Sequence, residues 1–342
     1  MKGFSFSLVS PKSSPLCKGT VRTGSITKQL LTQLSPNQIV VLKHQDLDEV
    51  VAQELIDREV KAVLNCASTM TGSYPAQGPL LLLQHDIPIW EAEPGCFALF
   101  QDESTVSIYE NIAVTEGSII PLKAFSKKEW LTQFQLAQLC SGYMLESFIE
   151  NTLYHAQLEK SFVIEPFPNL PLRTEMEGRH VLVVSRGGCY KRDLAAAKAY
   201  ICDYSPVLIA VDGGADALLD LGYKPDLIIG DMDSVTDSAL LGGSELVVHA
   251  YKDGYAPGWN RISKLGLEAH LLPCPGTSED VALLMAFEKR SELIVAVGAH
   301  AHMIDFLEKG RKGMGSTLLV RMKIGAKLID IKGLNLFYKT RL

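Results

Sequence analysis

The chain has 342 residues, 47% of them hydrophobic and 21% charged, with a formal net charge of −6. That is enough apolar material for two buried cores, and the lack of a dense Lys/Arg block excludes nucleic acid or a polybasic membrane surface as the main partner. Seven cysteines without a CxxC spacing read as reduced cytosolic thiols, no run reaches the ~18 uncharged apolar residues of a membrane helix, and the start, Met1 to Pro15, is no secretory signal; the expected location is the cytoplasm.

After a loose start and a polar stretch from Gly19 to Gln33, the β-branched run Ile39 to Leu42 predicts a strand, Leu47 to Asp57 a helix, and Lys61 to Asn65 a second strand. Ser68 to Pro79 is a small-residue loop, Leu80 to His85 a helix, and Ile87-Pro88-Ile89 opens another strand. Gly, Ser and Pro are ordinary loop residues, so a solvated loop is the first reading; the alternative is a nest in which Ser68, Thr69, Thr71, Gly72 and Ser73 offer hydroxyls and amides to an anion. Val106 to Val114 alternates like a strand, and a β-region near residue 120 closes a small N-terminal α/β domain, 1–120.

Residues 121–172 read as a connector. Ser126 and Glu129 form a capping box, and Trp130, Phe134, Ala137, Cys140, Met144, Phe148 and Tyr154 recur mostly at three or four residues. The predicted helix, Ser126 to Lys160, is about 50 Å long at 1.5 Å per residue, with Gly142 as a point of interruption. Its apolar face requires cover from a neighbouring domain or a second copy, so a homodimer is expected. Glu165-Pro-Phe-Pro-Asn-Leu-Pro171 follows as a stiff linker.

The second domain, 173–342, opens with the strand His180 to Val184, the turn Ser185-Arg186-Gly187-Gly188 and a helix Lys191 to Ile201. Val207 to Val211 is a strand that breaks at Asp212-Gly213-Gly214, Ala215 to Leu221 has helical spacing, and Pro225 precedes the strand Asp226 to Gly230. Strand, tight turn, helix, strand implies a parallel pair, and continuation through Leu246 to His249, Trp259 to Leu265, the N-cap box Thr277 to Asp280 and Leu293 to Val297 implies a doubly wound, mainly parallel sheet. One or two further strands are expected within Arg321 to Ile331.

In such a sheet, ligands sit where strands end and helices begin. If Asp231 and Asp233 stay extended, their carboxylates point to one side, Gly230 admits a ligand to the backbone, and the pair can seat Mg²⁺ and phosphate. Arg186 offers bidentate pairing beside the amides of Gly187 and Gly188. Structural alternatives stand beside these: Asp and Gly are turn residues, Ser234 is a possible helix cap, and His249 reads as a buried structural histidine. His300 and His302, at i and i+2, share a face but lack a visible third metal ligand.

Asp212-Gly213-Gly214-Ala215-Asp216 and Gly230-Asp231-Met232-Asp233-Ser234 resemble the two motifs of the thiamine pyrophosphokinase catalytic domain. In that family these acids hold magnesium and the ATP phosphates, which implies catalytic roles for Asp212, Asp231 and Asp233 and metal binding by Asp231 and Asp233. Nucleotide contacts are expected from Arg186, Gly187, Gly188, Asp212, Gly213, Gly214, Asp216, Gly230, Ser234, Thr277, Ser278, Glu279 and Asp280. The implied cofactors are Mg²⁺ and ATP or a related nucleotide. Together with His249-Ala-Tyr, Gly276 to Asp280, Val297-Gly298 and Gly313 to Thr317, the pattern also resembles the SteA-type cytokinetic-ring family of bacteria, which joins a kinase-like domain to a distinct N-terminal one. The N-terminal domain itself has a faint resemblance to swivelling phosphohistidine domains, without a reactive histidine in its loop.

The kinases' Asp-Xaa-Thr-Asp stretch is replaced here by Cys274-Pro-Gly-Thr277-Ser278, and their Arg-Xaa-Asp-His by Met303-Ile-Asp305-Phe306. Only 32 residues follow Gly310, too few for the family's C-terminal β-domain. The expected function is therefore a nucleotide- or phosphate-ligand-binding protein with a SteA-like role in cell division or separation, binding a phosphorylated small molecule and a cell-division partner protein; the alternative is an active ATP-dependent thiamine pyrophosphokinase. No membrane tether is expected in this chain, and membrane association is expected only if the natural chain continues beyond Leu342.

Overall fold

Strands form where β-branched runs end in Gly, Asp or Asn, and a computed structural model describes them for residues 14–337 apart from 25, 26 and 32. The start read as loose lies largely outside the described residues. The chain divides into two units, 1–141 and 142–342, with the division inside the helix Lys127–Glu159.

The first unit holds an eight-stranded mixed sheet ordered β7-β6-β5-β1-β2-β3-β4-β8. Its strands are β1 Cys17–Thr23, β2 Ile39–Leu42, β3 Ala62–Asn65, β4 Ile89–Glu91, β5 Thr105–Ile108, β6 Ile112–Val114, β7 Ile119–Pro121 and β8 Lys123–Phe125. β1 lies in the stretch read as polar and mixed; it is recognisable only by position, parallel to β2, with Cys17 and Val21 facing the core. The single strand read over Val106 to Val114 is a hairpin, turned where the Tyr109 amide bonds the Ile112 carbonyl at 2.8 Å. The loop after β3 is organised by the protein's own acids. Glu91 accepts the Thr69 amide at 2.6 Å, and Asp46 accepts the Thr71 amide at 2.6 Å and its hydroxyl at 2.9 Å. Those two amides are thus engaged with carboxylates, which leaves the anion-nest alternative without its main donors.

The helix Lys127–Glu159 runs through Gly142 without a break, and Ser126 and Glu129 form the expected capping box. Within the first unit, Trp130 stacks on Phe134 with centroids 4.8 Å apart and donates its indole N–H to the Ala76 carbonyl. In the second unit the buried positions are Phe148, Thr152 and Ala156, while Tyr154 is exposed: at a strict i+4 spacing from Phe148, residue 152 takes the place the sequence reading gave to 154.

The second unit is a seven-stranded, wholly parallel sheet ordered β13-β12-β11-β10-β9-β14-β15. The strands are β9 His180–Val184, β10 Val207–Val211, β11 Leu227–Gly230, β12 Glu245–Ala250, β13 His270–Pro273, β14 Leu293–Val297 and β15 Leu328–Asp330. Alternate strand residues enter two cores. Val181, Val183, Ile209 and Ile229 meet the helix Ser278–Glu288, while Leu182, Val184, Ala210 and Ile228 meet Leu194, Ala215, Leu218 and Ile262 from the helices of the other face. The fold is a doubly wound α/β sheet. Helix Ser278–Glu288 is buried from Glu279 to Ala286, as expected of a helix that is apolar all round.

The helix read over Lys191 to Ile201 is two, Tyr190–Ala196 and Lys198–Tyr204, meeting at Ala197. Arg321 to Ile331 is half helix: Gly315–Ile324 buries Val320 and Ile324, spaced i and i+4, and only β15 is strand. Asp193 pins the following segment by accepting the amides of Gly333 at 2.9 Å and Asn335 at 2.8 Å.

The chain moves outward from β9 to β13 and then returns to β14 on the other flank of β9. Strand order reverses there, and the crevice such a reversal opens lies beyond the C-terminal ends of the strands. At the opposite end, Glu245 is buried and accepts the Arg173 and Thr174 amides, each at 2.9 Å, the Thr174 hydroxyl at 2.7 Å and the His270 ring at 3.1 Å. Burial alone would raise its pKa, but those donors outweigh it and hold the carboxyl below the ordinary 4.5. A depressed carboxylate contributes stability that is present above its unfolded pKa and is lost as pH falls through the folded value. Glu245→Gln is therefore expected to cost about 1–3 kcal/mol at pH 7. The deficit should shrink below pH 4.5, which urea midpoints of both proteins measured across that range will check.

Candidate functional site

The site is assembled from the turns that follow β9, β10, β11 and β14 and from the N-terminus of helix Ser278–Glu288. At the end of β10 the chain turns sharply, with Asp212 in the left-handed region at φ 47°, so that Gly214 opens the next helix. Asp212 then reaches across to the neighbouring strand. Its Oδ1 accepts the Met232 amide at 3.0 Å, and the carboxylate occupies the space where a side chain at 230 would stand: a Cβ on Gly230 would lie 1.9 Å from Oδ1. Asp216 does a similar job one turn later, accepting the Thr236 amide at 3.2 Å and hydroxyl at 2.5 Å. Both acids of the first motif thus brace the loop carrying the second.

That loop is not extended. Met232 has φ 60° and is buried, and the Asp233 amide donates to Asp231 Oδ1 at 3.1 Å, so a local turn replaces the alternation expected of an extended Asp-Xaa-Asp. Gly230 admits the Asp212 carboxylate rather than a ligand. Thr236, not Ser234, caps the following helix, accepting the Ala239 amide at 3.2 Å. Arg261 closes the loop from outside, donating to the Met232 carbonyl at 2.6 Å and pairing with Asp237. Asp231 is half-buried and Asp233 exposed.

Three predicted residues converge at Gly213. A Cβ there would lie 2.5 Å from the Arg186 guanidine carbon and 2.8 Å from the Ser234 carbonyl oxygen. The turn after β9 therefore lays Arg186 over the turn after β10, and only glycine fits between it and the loop after β11. Gly187 makes the corresponding close pass with β14: its Cβ would lie 2.4 Å from the Gly298 carbonyl. Gly188 is half-buried in the same turn.

Thr277 to Asp280 turn largely inward. Thr277 caps its helix, and Asp280 completes the box by accepting the Thr277 amide at 3.0 Å and the Ser316 hydroxyl at 2.7 Å. Burial raises the Asp280 pKa, against the pull of those hydrogen bonds. Ser278 contacts His249 Nδ1 at 3.0 Å, and Nε2 lies 2.9 Å from the Cys274 carbonyl; a carbonyl only accepts, so Nε2 carries the proton and Nδ1 accepts from the hydroxyl. Burial lowers the His249 pKa, Asp231 and Asp280 oppose this, and Arg311 adds to it. The His249 ring thus links the end of β12 to Ser278 and to the Cys274 carbonyl.

His300 and His302 do not act as a pair. His300 turns to Glu279, whereas His302 lies 3.3 Å from Asp305, which also holds Lys332 at 2.9 Å. Phe306 packs against Phe148, 6.3 Å between centroids. Among the described residues no group of three or more His, Cys, Asp or Glu is arranged to hold a metal ion. A Mg²⁺ held by one or two carboxylates, with phosphate oxygens and water completing its shell, fits the Asp231 and Asp233 donor set. Sequence reasoning missed the Asp216–Thr236 and Glu279–His300 pairs and Arg311; the exposed cations of Lys309-Gly-Arg311-Lys-Gly313 were the one visible signal for the last.

Residues 199–251 match the thiamin pyrophosphokinase catalytic-domain family. The match spans β10, β11, both acidic motifs and β12; it leaves out Arg186, Thr277 to Asp280 and His300. No curated protein matches the chain. Among solved structures, thiamine pyrophosphokinase from Bacillus subtilis is similar at 22% identity, covering 44% of this chain and 59% of its own, with a TM-score of 0.27. The 3-isopropylmalate dehydratase of Methanocaldococcus jannaschii is similar at 10% identity, covering 36% of this chain and 98% of its own, with a TM-score of 0.24. This chain thus spans about three fifths of the Bacillus enzyme. Among the described residues, no helix is long and apolar enough to cross a membrane.

The clasp between the two kinase-like motifs has a direct test. Gly230→Ala forces a methyl group onto the Asp212 carboxylate and should cost about 2 kcal/mol or more, the scale of overpacking. Asp212→Ala in the same chain removes the obstacle, so the double variant should lose less than the sum of the single ones. Urea denaturation of the four proteins will measure it.

Proposed function

We propose that the second unit binds a nucleotide or another phosphorylated small molecule together with Mg²⁺ at the C-terminal edge of its sheet. The observation that carries this is the meeting of Arg186, Gly213 and Ser234: a guanidinium laid over a glycine turn, on the same sheet edge as the half-buried Asp231, supplies a bidentate phosphate partner near a candidate metal-binding carboxylate. Asp231 and Asp233 would hold the ion, which would offset the charge of the phosphate. The match over residues 199–251 supports the phosphate reading, since it falls on both acidic motifs.

The finer reading is a SteA-like role in bacterial cell division or separation, with the phosphate site acting as a ligand-gated element of a scaffold. The sequence resemblance supports it, as do Met303 and Phe306 where the kinases place arginine and histidine. Loss of the gene in its native bacterium should then leave daughter cells unseparated. An active thiamine pyrophosphokinase is the second reading, supported by the same family match.

Calorimetry with ATP, with and without Mg²⁺, tests the site. Asp231→Asn should weaken Mg²⁺-dependent binding about tenfold, 1.4 kcal/mol, while leaving the fold intact; unchanged affinity in a folded variant removes Asp231 from the site. Thiamine diphosphate made at roughly 1 per second or faster would establish the enzyme reading instead; the scaffold reading expects binding without it.

A further inference from the structure

We infer that His300, oriented by Glu279, is a general base of the crevice, taking the proton from a hydroxyl nucleophile that attacks a bound phosphoanhydride. The inference rests on the reading of the crevice as a phosphate seat and adds a reaction to it.

Glu279 and His300 form a closed unit. Glu279 is buried, and it accepts the His300 backbone amide at 3.1 and 3.2 Å while its Oε2 lies 2.9 Å from His300 Nδ1. Lys309 Nζ also approaches Nδ1, at 3.3 Å. The two neighbours make opposite demands on that nitrogen, because the carboxylate needs an N–H and the ammonium a lone pair. Burial by itself would raise the Glu279 pKa, but the hydrogen bonds from His300 and the charge of Lys309 hold it down, so the carboxylate is ionised at neutral pH. An ionised oxygen at 2.9 Å requires the proton on Nδ1, with Lys309 as an electrostatic neighbour.

The consequence falls on the other nitrogen. With Nδ1–H committed to Glu279, Nε2 carries the lone pair, the arrangement by which a carboxylate readies an imidazole to accept a proton. Nε2 has no partner among the described residues and is not sealed from solvent. Its place in the fold is also telling. His300 stands just beyond β14, where strand order reverses against β9, and the Gly298 turn beneath it touches Gly187. Ser185, at the end of β9, has a buried hydroxyl with no partner of its own. Ser278, directly before Glu279, contacts His249 Nδ1 at 3.0 Å near the end of β12, the neighbour of β11. The helix N-terminus thus places the dyad on the sheet edge that carries the proposed metal-binding loop.

In the step inferred, the Nε2 lone pair takes a proton from the O–H of the nucleophile, water being the one always present. The freed oxygen pair forms a new P–O bond at the terminal phosphorus. The bond from that phosphorus to the bridging oxygen breaks, and the oxygen leaves with its electron pair as the shortened phosphate. Phosphoanhydride and water become two phosphates, and the imidazolium returns its proton to solvent. His300 is the catalytic residue; Glu279 is a positioning residue acting through it.

Phosphate release from ATP, GTP and inorganic tripolyphosphate, each with Mg²⁺ and the full chain, is the test, alongside long-range ¹H–¹⁵N NMR of the histidine rings. His300→Gln should lower kcat about 100-fold, the scale of a lost general base, with KM within twofold. The wild-type ring should be the Nδ1–H tautomer, and Glu279→Gln should abolish that preference; the tautomer of the wild-type protein is readable even if a variant fails to fold. Unchanged kcat in His300→Gln, or an Nε2–H tautomer in the wild type, overturns the inference. Wild-type protein that binds these phosphates with Mg²⁺ but turns none over also overturns it and leaves the phosphate seat standing, whereas absence of binding removes the seat itself.

Discussion

The second unit depends on one contact between strand ends: the Asp212 carboxylate seated in the space left by the missing side chain of Gly230, where it accepts the Met232 amide at 3.0 Å. A left-handed turn at Asp212 aims the carboxylate, a glycine receives it, and the buried Met232 anchors the receiving loop. Asp216 repeats the device on Thr236. Adjacent parallel strands fix only the spacing of their own ends; these side-chain ties fix the loops beyond them, and therefore where Arg186 and Ser234 can meet around Gly213.

Charge is distributed accordingly. Acids that read as ligand-binding in sequence are partly spent on the protein itself: Asp280 on Thr277 and Ser316, Glu279 on His300, Asp216 on Thr236. Asp216 and Glu279 are satisfied by donors, the condition on which a charged group tolerates removal from water, whereas Asp280 Oδ1 is buried without a partner among the described residues. The set the proposed ligand would meet is smaller: Asp231 and Asp233, with Arg186 over the Gly213 turn. Two carboxylates and a guanidinium on glycine-lined turns suit a Mg²⁺-phosphate ligand better than a free cation, which would need a fuller set of protein oxygens.

Much of this was legible in the sequence, and the limits have physical causes. β9, β10 and β14 fall on the β-branched runs that predict them, because strands buried on both faces are continuous apolar runs. The box at Thr277 and Asp280 was equally visible, since both partners lie within one helical turn. β1 and β13 were missed: β1, though seven residues long, buries only Cys17 and Val21, and β13 is four residues with only Leu272 buried, so neither an unbroken apolar run nor a long alternation marks them. At the site, the residue types and the strand edge were readable, yet the division of labour was not. Whether Asp212 faces a ligand or Gly230, and whether Glu279 meets His300 21 positions away, is decided by strand order, which no local pattern encodes. The turn at Met232 likewise arises from packing of its side chain, not from a turn residue.

The central claim, that this sheet edge holds Mg²⁺ and phosphate, is tested most directly by amide hydrogen exchange of the full chain with and without Mg²⁺-ATP. The account predicts slowed exchange confined to the turns 185–189, 212–216 and 230–236, where the glycine-lined backbone and the acidic loop would close around the phosphates. Protection that appears elsewhere while those three turns stay unchanged would contradict it.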